Sequence, residues 1–379
     1  MSTTLTTMRR VDGWLALIVF GLVLFGVLMV YSASIIIAHL QGNDYLFAER
    51  QFISACIGFV ALAITASIDY HVWRALAGWM LGVTYLLLIS VFFFSVGSIN
   101  GAHRWISLGG QTFQPSELAK LTFIMYVSAW LAQRGDRLGS IRQTFLPYLA
   151  VVISIAFLML KEPDFGTLTI ILAPAIIIYY VAGLSWKQVL LGLAITALGL
   201  SLVLSTKYRR DRIMTFLDPS KDTSGTSYHV KNIAIAIGSG GAWGLGFGQS
   251  RQKRLFLPEP HTDSIFAIIV EELGAVRATL LLLVFCALLY RGFRVAYLAP
   301  DAFGRHLAVG ITSWFGFEAF INLASMLHVV PLVGVPLPFI SYGGTSLMVS
   351  LIAVGVLLNI SRQLVVPTHE SKPSRGLRS

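Results

Sequence analysis

The residues of this chain best suited to chemistry are a few ionisable groups set among apolar ones. Asp263 closes the run Leu257-Pro258-Glu259-Pro260-His261-Thr262-Asp263, where a polar, basic, glycine-rich segment (206–263) meets a long apolar stretch. A carboxylate at such a boundary can take a proton from a bound hydroxyl as a general base. The competing reading is a helix N-cap. Glu271 and Glu272 follow within the first turns of the apolar stretch. They could tune Asp263 or hold a cation, or else pair with Arg277 or with basic groups on neighbouring helices. Upstream, Gln114-Pro115-Ser116-Glu117-Leu118-Ala119-Lys120 puts Pro115 in a first helical turn and sets Glu117 and Lys120 three apart on one face, a spacing at which they can pair. Glu117 can also be a surface residue answering the helix dipole. Lys120, inside an apolar helix, calls for a partner or a cavity. The link Lys161-Glu162-Pro163-Asp164 is either the wet turn between two helices or a set in which Lys161 and Asp164 line the same cavity as Glu117 and Lys120.

The elements that must position these groups are membrane helices. Hydrophobic residues make up 56% of the 379-residue chain and charged residues 12%, about half the charge of an ordinary soluble domain. Apolar runs at 14–34, 50–67, 73–95, 115–132, 144–160, 165–182, 187–205, 264–290, 304–328 and 343–362 are each long enough to cross a hydrocarbon core of ~30 Å. The expected fold is therefore an all-α polytopic membrane protein of about ten transmembrane helices, because a lipid-facing backbone must satisfy its hydrogen bonds internally. Short tails, 1–13 and 363–379, flank a single ten-span domain, 14–362, and the extreme ends (1–10 and 367–379) have the composition of disordered segments.

Charge sets the orientation. Lys and Arg crowd the connections on the side that holds both ends, from Arg9 and Arg10 to Arg375 and Arg378, whereas the short loops opposite hold only Arg50, Arg104 and Lys161. Both termini are expected in the cytoplasm, and the first span reads as an uncleaved anchor. Segment 206–263, between the seventh and eighth spans, then lies outside. It carries Lys207, Arg209, Arg210, Arg212, Lys221, Lys231, Arg251, Lys253 and Arg254 against Asp211, Asp218, Asp222, Glu259 and Asp263. An outward basic surface suits either anionic lipid headgroups or an anionic substrate such as a pyrophosphate on a lipid carrier. Cys56 and Cys286 both fall in apolar runs, which leaves no disulfide for the outer loop.

Two irregular stretches complete the pattern. Residues 238–248 hold six glycines but lack the Gly-Lys-Ser/Thr ending of a phosphate-binding loop, so a flexible or tightly folded outer loop is expected there. Pro331 to Ser346 packs three prolines and three glycines at apolar depth, the signature of a re-entrant or broken segment lining a cavity.

Together these segments resemble the SEDS (shape, elongation, division, sporulation) family of polytopic peptidoglycan polymerases. The matching pieces are Gly101–Ile106, Gln114–Lys120, Glu162–Thr167, Gly238–Gly248, Leu257–Phe266 with Glu271-Glu272-Leu273-Gly274, and Leu337–Gly344. The likeness runs from about residue 14 to 362. Gln249–Lys253 and Leu358–Arg362 resemble the division branch, FtsW, more than the elongation branch, RodA. Ser264, where an aromatic residue is usual, and Arg277, where a small neutral one is usual, depart from the pattern.

The resemblance implies lipid II as substrate, glycan polymerisation as reaction, release of undecaprenyl pyrophosphate, and a role in septal wall synthesis. Asp263 matches the catalytic aspartate, with Glu271 and Glu272 supporting it. Arg104, Gln114, Ser116, Glu117, Lys120, Lys161, Asp164, Arg210, Arg212, Ser341, Gly343 and Gly344 become candidates to hold substrate. A divalent cation, Mg or Mn, could bridge pyrophosphate to carboxylates, although no dedicated ligand motif is present. The implied partners are a class B penicillin-binding protein (an FtsI-like transpeptidase) and other divisome membrane proteins, with no nucleic acid. The implied location is the bacterial cytoplasmic (inner) membrane. The rival readings are a lipid II flippase and a non-catalytic division scaffold.

Overall fold

A computed structural model describes residues 4–7, 11–95, 104–108, 111–162, 164–192 and 226–368. Among the described residues ten long helices carry the fold: α1 (Gly13–Leu40), α2 (Leu46–Ser67), α3 (Tyr70–Phe94), α4 (Pro115–Ala132), α5 (Leu146–Lys161), α6 (Phe165–Gly183), α7 (Thr226–Gly240), α8 (Ile265–Tyr297), α9 (Ala302–Met326) and α10 (Gly344–Ser361). Among the described residues, 8 helical segments are long and apolar enough to cross a membrane. α4 is as long as the shortest of these, but Glu117 and Lys120 leave it less apolar. The expected span at 187–205 is helical over residues 186–192, and its remainder lies outside the described residues.

Local sequence explains the helix starts. Asp12 caps α1 by accepting from Leu15 N at 3.0 Å, and Asp164 caps α6 by accepting from Thr167 N at 3.2 Å. Pro115 opens α4, where its missing N–H costs nothing. α9 and α10 form the centre of the bundle, with 78% of their membrane windows buried, against 28% for α2 and α3. The α2–α10 contact is tight enough that a Cβ on Gly355 would lie 2.0 Å from Thr65 Oγ1, the close approach that small residues allow between membrane helices.

α1 and α8 run antiparallel along one another. Arg291 Nη2 meets Asp12 Oδ2 at 2.6 Å near one end, and Ser32 Oγ donates to the Glu272 carboxylate at 2.7–2.8 Å near the other. These contacts are separated by about 30 Å of helix, the thickness of a hydrocarbon core, so Glu272 sits at the boundary opposite the chain ends.

The structure departs from the sequence expectation in three places. The loop 206–263 contains α7, whose Ile233 and Ala236 are fully buried. Its polar residues disguise a helix that packing on α8 stabilises. The ends are not wholly unstructured: β1 (Thr4–Thr7) pairs antiparallel with β4 (Val365–Thr368), which brings both ends to one face. A small hairpin of β2 (Ile106–Leu108) and β3 (Gln111–Phe113) precedes α4, a minor addition to the expected helical bundle. The Pro331–Gly343 stretch is irregular, as its prolines and glycines require, and its second half, from Leu337 to Ser341, is buried.

Candidate active site

Asp263 lies on the turn that leads into α8. Glu259 adopts a left-handed conformation (φ 47°), and its carbonyl accepts from Thr262 N and Ser264 N, both at 3.3 Å. Ser264, not Asp263, is the N-cap residue of α8, and Ser264 Oγ lies 2.7 Å from His229 Nε2 instead of capping the helix. The N-cap reading of Asp263 is thus excluded, and its partly exposed carboxylate is not consumed in starting a helix. Gly334 (φ 74°) passes alongside, so close that a Cβ there would sit 3.1 Å from Asp263 Oδ2. His261 is buried between Phe47 and Tyr342, with ring centroids at 4.6 and 5.5 Å. Burial pushes its pKa down to about 4, so it is neutral at physiological pH.

A second cluster gathers on Asp164. Ser116 Oγ donates to Asp164 Oδ2 at 3.1 Å, Gln114 Nε2 donates to the same oxygen at 3.3 Å, and Arg104 Nη1 stands 3.5 Å from Oδ1. The hairpin β2–β3 and the proline start of α4 deliver these groups to the α5–α6 turn. Glu162, which the sequence reading passed over, is 2% exposed beside them, and Arg104 Nε donates to its backbone carbonyl at 3.2 Å. Burial, with the charge of Asp164 adding and that of Arg104 opposing, raises the Glu162 carboxyl to about 8. Lys161 is not brought in: it is exposed, its ammonium 5.6 Å from the Phe157 ring of its own helix.

The two clusters share a wall. A Cβ on Gly166, two residues after Asp164, would touch Val335 Cγ2 at 3.0 Å and Val333 O at 3.3 Å, and the intervening Gly334 faces Asp263. Ser341 braces this strap from below: its Oγ donates to Thr262 O at 2.7 Å and accepts from Leu337 N at 2.8 Å. Gly343 N donates to Gln51 Oε1 at 3.2 Å, and Gly344 fits against Ser54, where a Cβ would come within 2.8 Å. Ser341, Gly343 and Gly344 therefore shape the strap. Arg210 and Arg212 lie outside the described residues.

Glu117 and Lys120 turn the other way, into the bundle. Lys120 Nζ is 2.7 Å from Glu117 Oε2 and 3.0 Å from Oε1 of Glu318 on α9, a residue the sequence reading did not single out. Trp314 Nε1 donates to Glu318 Oε2 at 2.6 Å, and its ring lies 4.9 Å from the ammonium. Glu117 is buried, so it is not a surface residue. Among the described residues, the single cavity expected to join Lys161 and Asp164 with Glu117 and Lys120 is instead two clusters, one on Asp164 and one on Lys120, that adjoin at the Ser116-Glu117 step of α4.

Glu271 and Glu272 brace the returning loop. Lys253 Nζ meets Glu272 at 2.8 Å, Ser250 N donates to Glu272 at 3.2 Å, and Arg251 N donates to Glu271 at 3.0 Å. Arg277 instead donates to the Trp243 and Leu273 carbonyls, at 2.8 and 3.0 Å. The glycines of 238–248 clasp a break in α8 at Gly274 (φ 84°): Leu245 N and Gly246 N donate to the carbonyls of Glu271 and Glu272, both at 2.9 Å. The reading of that stretch as a tightly folded loop matches this geometry. Among the described residues no three His, Cys, Asp or Glu side chains gather as a metal site.

The comparisons with known proteins follow this architecture. Residues 13–365 match the FtsW/RodA/SpoVE family, described as cell cycle proteins. Stage V sporulation protein E of Bacillus subtilis is 41% identical over 93% of this chain and 97% of its own length. A probable peptidoglycan glycosyltransferase FtsW of a Geobacter species is 40% identical over 94% of this chain and 99% of its own. Among solved structures, a chain of a peptidoglycan synthase complex that coordinates polymerization and crosslinking superposes with a TM-score of 0.78 at 27% identity, covering 93% of this chain and 98% of that one. The rod shape determining protein RodA of Thermus thermophilus gives 0.69 at the same identity, covering 93% and 97%. The helical bundle, the ordered motifs and these matches lead to one conclusion: the chain belongs to the FtsW/RodA/SpoVE family.

Proposed function

We propose that this protein is an inverting peptidoglycan glycosyltransferase that polymerises lipid II for septal wall synthesis. The observation that carries the reading is the position of the Asp263 carboxylate: it lies on the turn into α8 against the 333–335 strap, whose other side packs on Gly166, two residues after the Asp164 that Arg104 meets. Asp263 would take the proton from the acceptor sugar's 4-hydroxyl. That oxygen attacks the donor's anomeric carbon, and the bond to the lipid pyrophosphate breaks on the opposite face. Arg104 would meet the departing phosphates, and on the strength of the family resemblance Arg210 and Arg212 would join it. A divalent cation, magnesium or manganese, if bound between the pyrophosphate and carboxylates, would neutralise the charge of the leaving group.

The same reading places the protein in the bacterial cytoplasmic membrane with both termini in the cytoplasm and 206–263 outside, working beside a class B penicillin-binding protein. Purified protein, with that transpeptidase, is given labelled lipid II and its products are sized. The parental protein should make long glycan strands and the Asp263→Asn form none. Parental strand synthesis by Asp263→Asn would overturn the assignment and favour a flippase or a scaffold.

A further inference from the structure

The turn that presents Asp263 is held by its carbonyls. His261 O accepts from Tyr342 N at 2.9 Å, Thr262 O from Ser341 Oγ at 2.7 Å, and Asp263 O from Asn322 Nδ2 at 2.8 Å. Three successive peptide groups are thus tied to the strap and to α9. Asn322 is the member that joins both, because its Nδ2 also donates to Val335 O at 2.7 Å. Its two amide hydrogens are therefore spent on two carbonyls, one beneath Asp263 and one beside the Gly334 that faces the Asp263 carboxylate.

The amide orientation follows from the neighbours. Turned over, Asn322 would set its own oxygen against two carbonyl oxygens at under 3 Å, a repulsion in place of two bonds. Oδ1 is left buried without a hydrogen-bond partner, a cost that a purely space-filling residue would not bear. The residue is 1% exposed on α9, between Ile321 and Leu323 in sequence. A polar residue at such depth calls for a specific partner, and here the partner is the backbone of the proposed base.

We infer that Asn322 is a positioning residue for the glycosyl transfer: it fixes the main chain of Asp263 against the 333–335 strap, so that the carboxylate is aimed before substrate arrives. The inference rests on the reading of Asp263 as the base. Buried at 1% exposure, Asn322 would touch neither sugar, and its loss should leave substrate affinity alone while displacing the base. A displacement of about 1 Å is enough to slow a reaction roughly a hundredfold.

Three full-length variants, Asn322→Leu, Asn322→Ser and Asp263→Asn, are purified with the transpeptidase partner, and kcat, KM and the pH dependence of kcat are measured with labelled lipid II. Asn322→Leu, similar in size but without donors, should lose about 10- to 100-fold in kcat with KM within about twofold, and its acid limb should move because the carboxylate's surroundings have changed. Asn322→Ser, which keeps one donor, should fall between Leu and the parent and stands in if the Leu form does not fold. A folded Asn322 variant with parental kcat, or one that changes only KM, would overturn the positioning role while leaving Asp263 as base. If Asp263→Asn itself polymerised normally, the base reading would fail first and this inference with it.

Discussion

Lys120 on α4 and Glu318 on α9 meet at 3.0 Å with no more than 2% of either residue exposed, and Glu117 closes on the same ammonium at 2.7 Å. One cation thus serves two carboxylates inside the bundle. Replacing Lys120 by Met leaves both acids buried and uncompensated, a change that costs about 3–5 kcal/mol. Glu318→Gln instead leaves one lysine facing one glutamate and keeps an acceptor for Trp314, so its cost should be small. Thermal unfolding in detergent should rank Glu318→Gln near the parent and Lys120→Met far below it. Equal stability of the Met form would show that the cluster is not held by charge.

How far the sequence revealed this site depends on how local each contact is. Glu117 and Lys120 were legible because three residues of helix bring them together wherever the helix goes. The break of the Pro331–Gly343 segment was legible because proline and glycine act through their own backbone. Glu318 and Asn322 were not, since their partners lie on other helices and nothing nearby in sequence marks them. Their one available signal was polarity inside an apolar run, which Asn359 also shows while serving only to bond backbone at the α2–α3 junction. Lys161 illustrates the opposite failure: its neighbour Glu162 took the buried position, and no periodicity in so short a turn decides which side chain faces inward.

The clasp at the break in α8 should tolerate no side chain. A Cβ on Gly274 would come within 2.4 Å of Ala242 O and Gly244 N, at a φ of 84° that already disfavours L-residues. Gly238, on α7, has nothing within 4 Å of the same position. Gly274→Ala is expected to destabilise by more than the ~1–3 kcal/mol of backbone strain alone, and to lower the yield of folded protein. Gly238→Ala should be neutral or stabilise by up to about 1 kcal/mol, because alanine favours a helix interior. Similar melting temperatures for the two variants would mean that the clasp does not form.

Glu162 makes stability depend on pH in a direction opposite to most carboxylates. Its folded pKa, about 8, stands above the ordinary value of 4.5 because the carboxyl is buried beside Asp164, with Arg104 only partly offsetting both effects. Below pH 4.5 the group is protonated in both the folded and unfolded states and contributes no pH dependence. Between 4.5 and about 8 the unfolded chain gives up the proton while the folded chain keeps it, so stability falls as pH rises, by at most ~1.4 kcal/mol per unit. Above 8 both states are ionised and the contribution levels off. Glu162→Gln removes this dependence while keeping the shape of the neutral acid. Its melting temperature should match the parent near pH 4.5 and exceed it by a growing margin up to pH 8. A margin that stays constant over that range would show that Glu162 is ionised in the folded protein, with its charge met by Arg104 instead of by a proton.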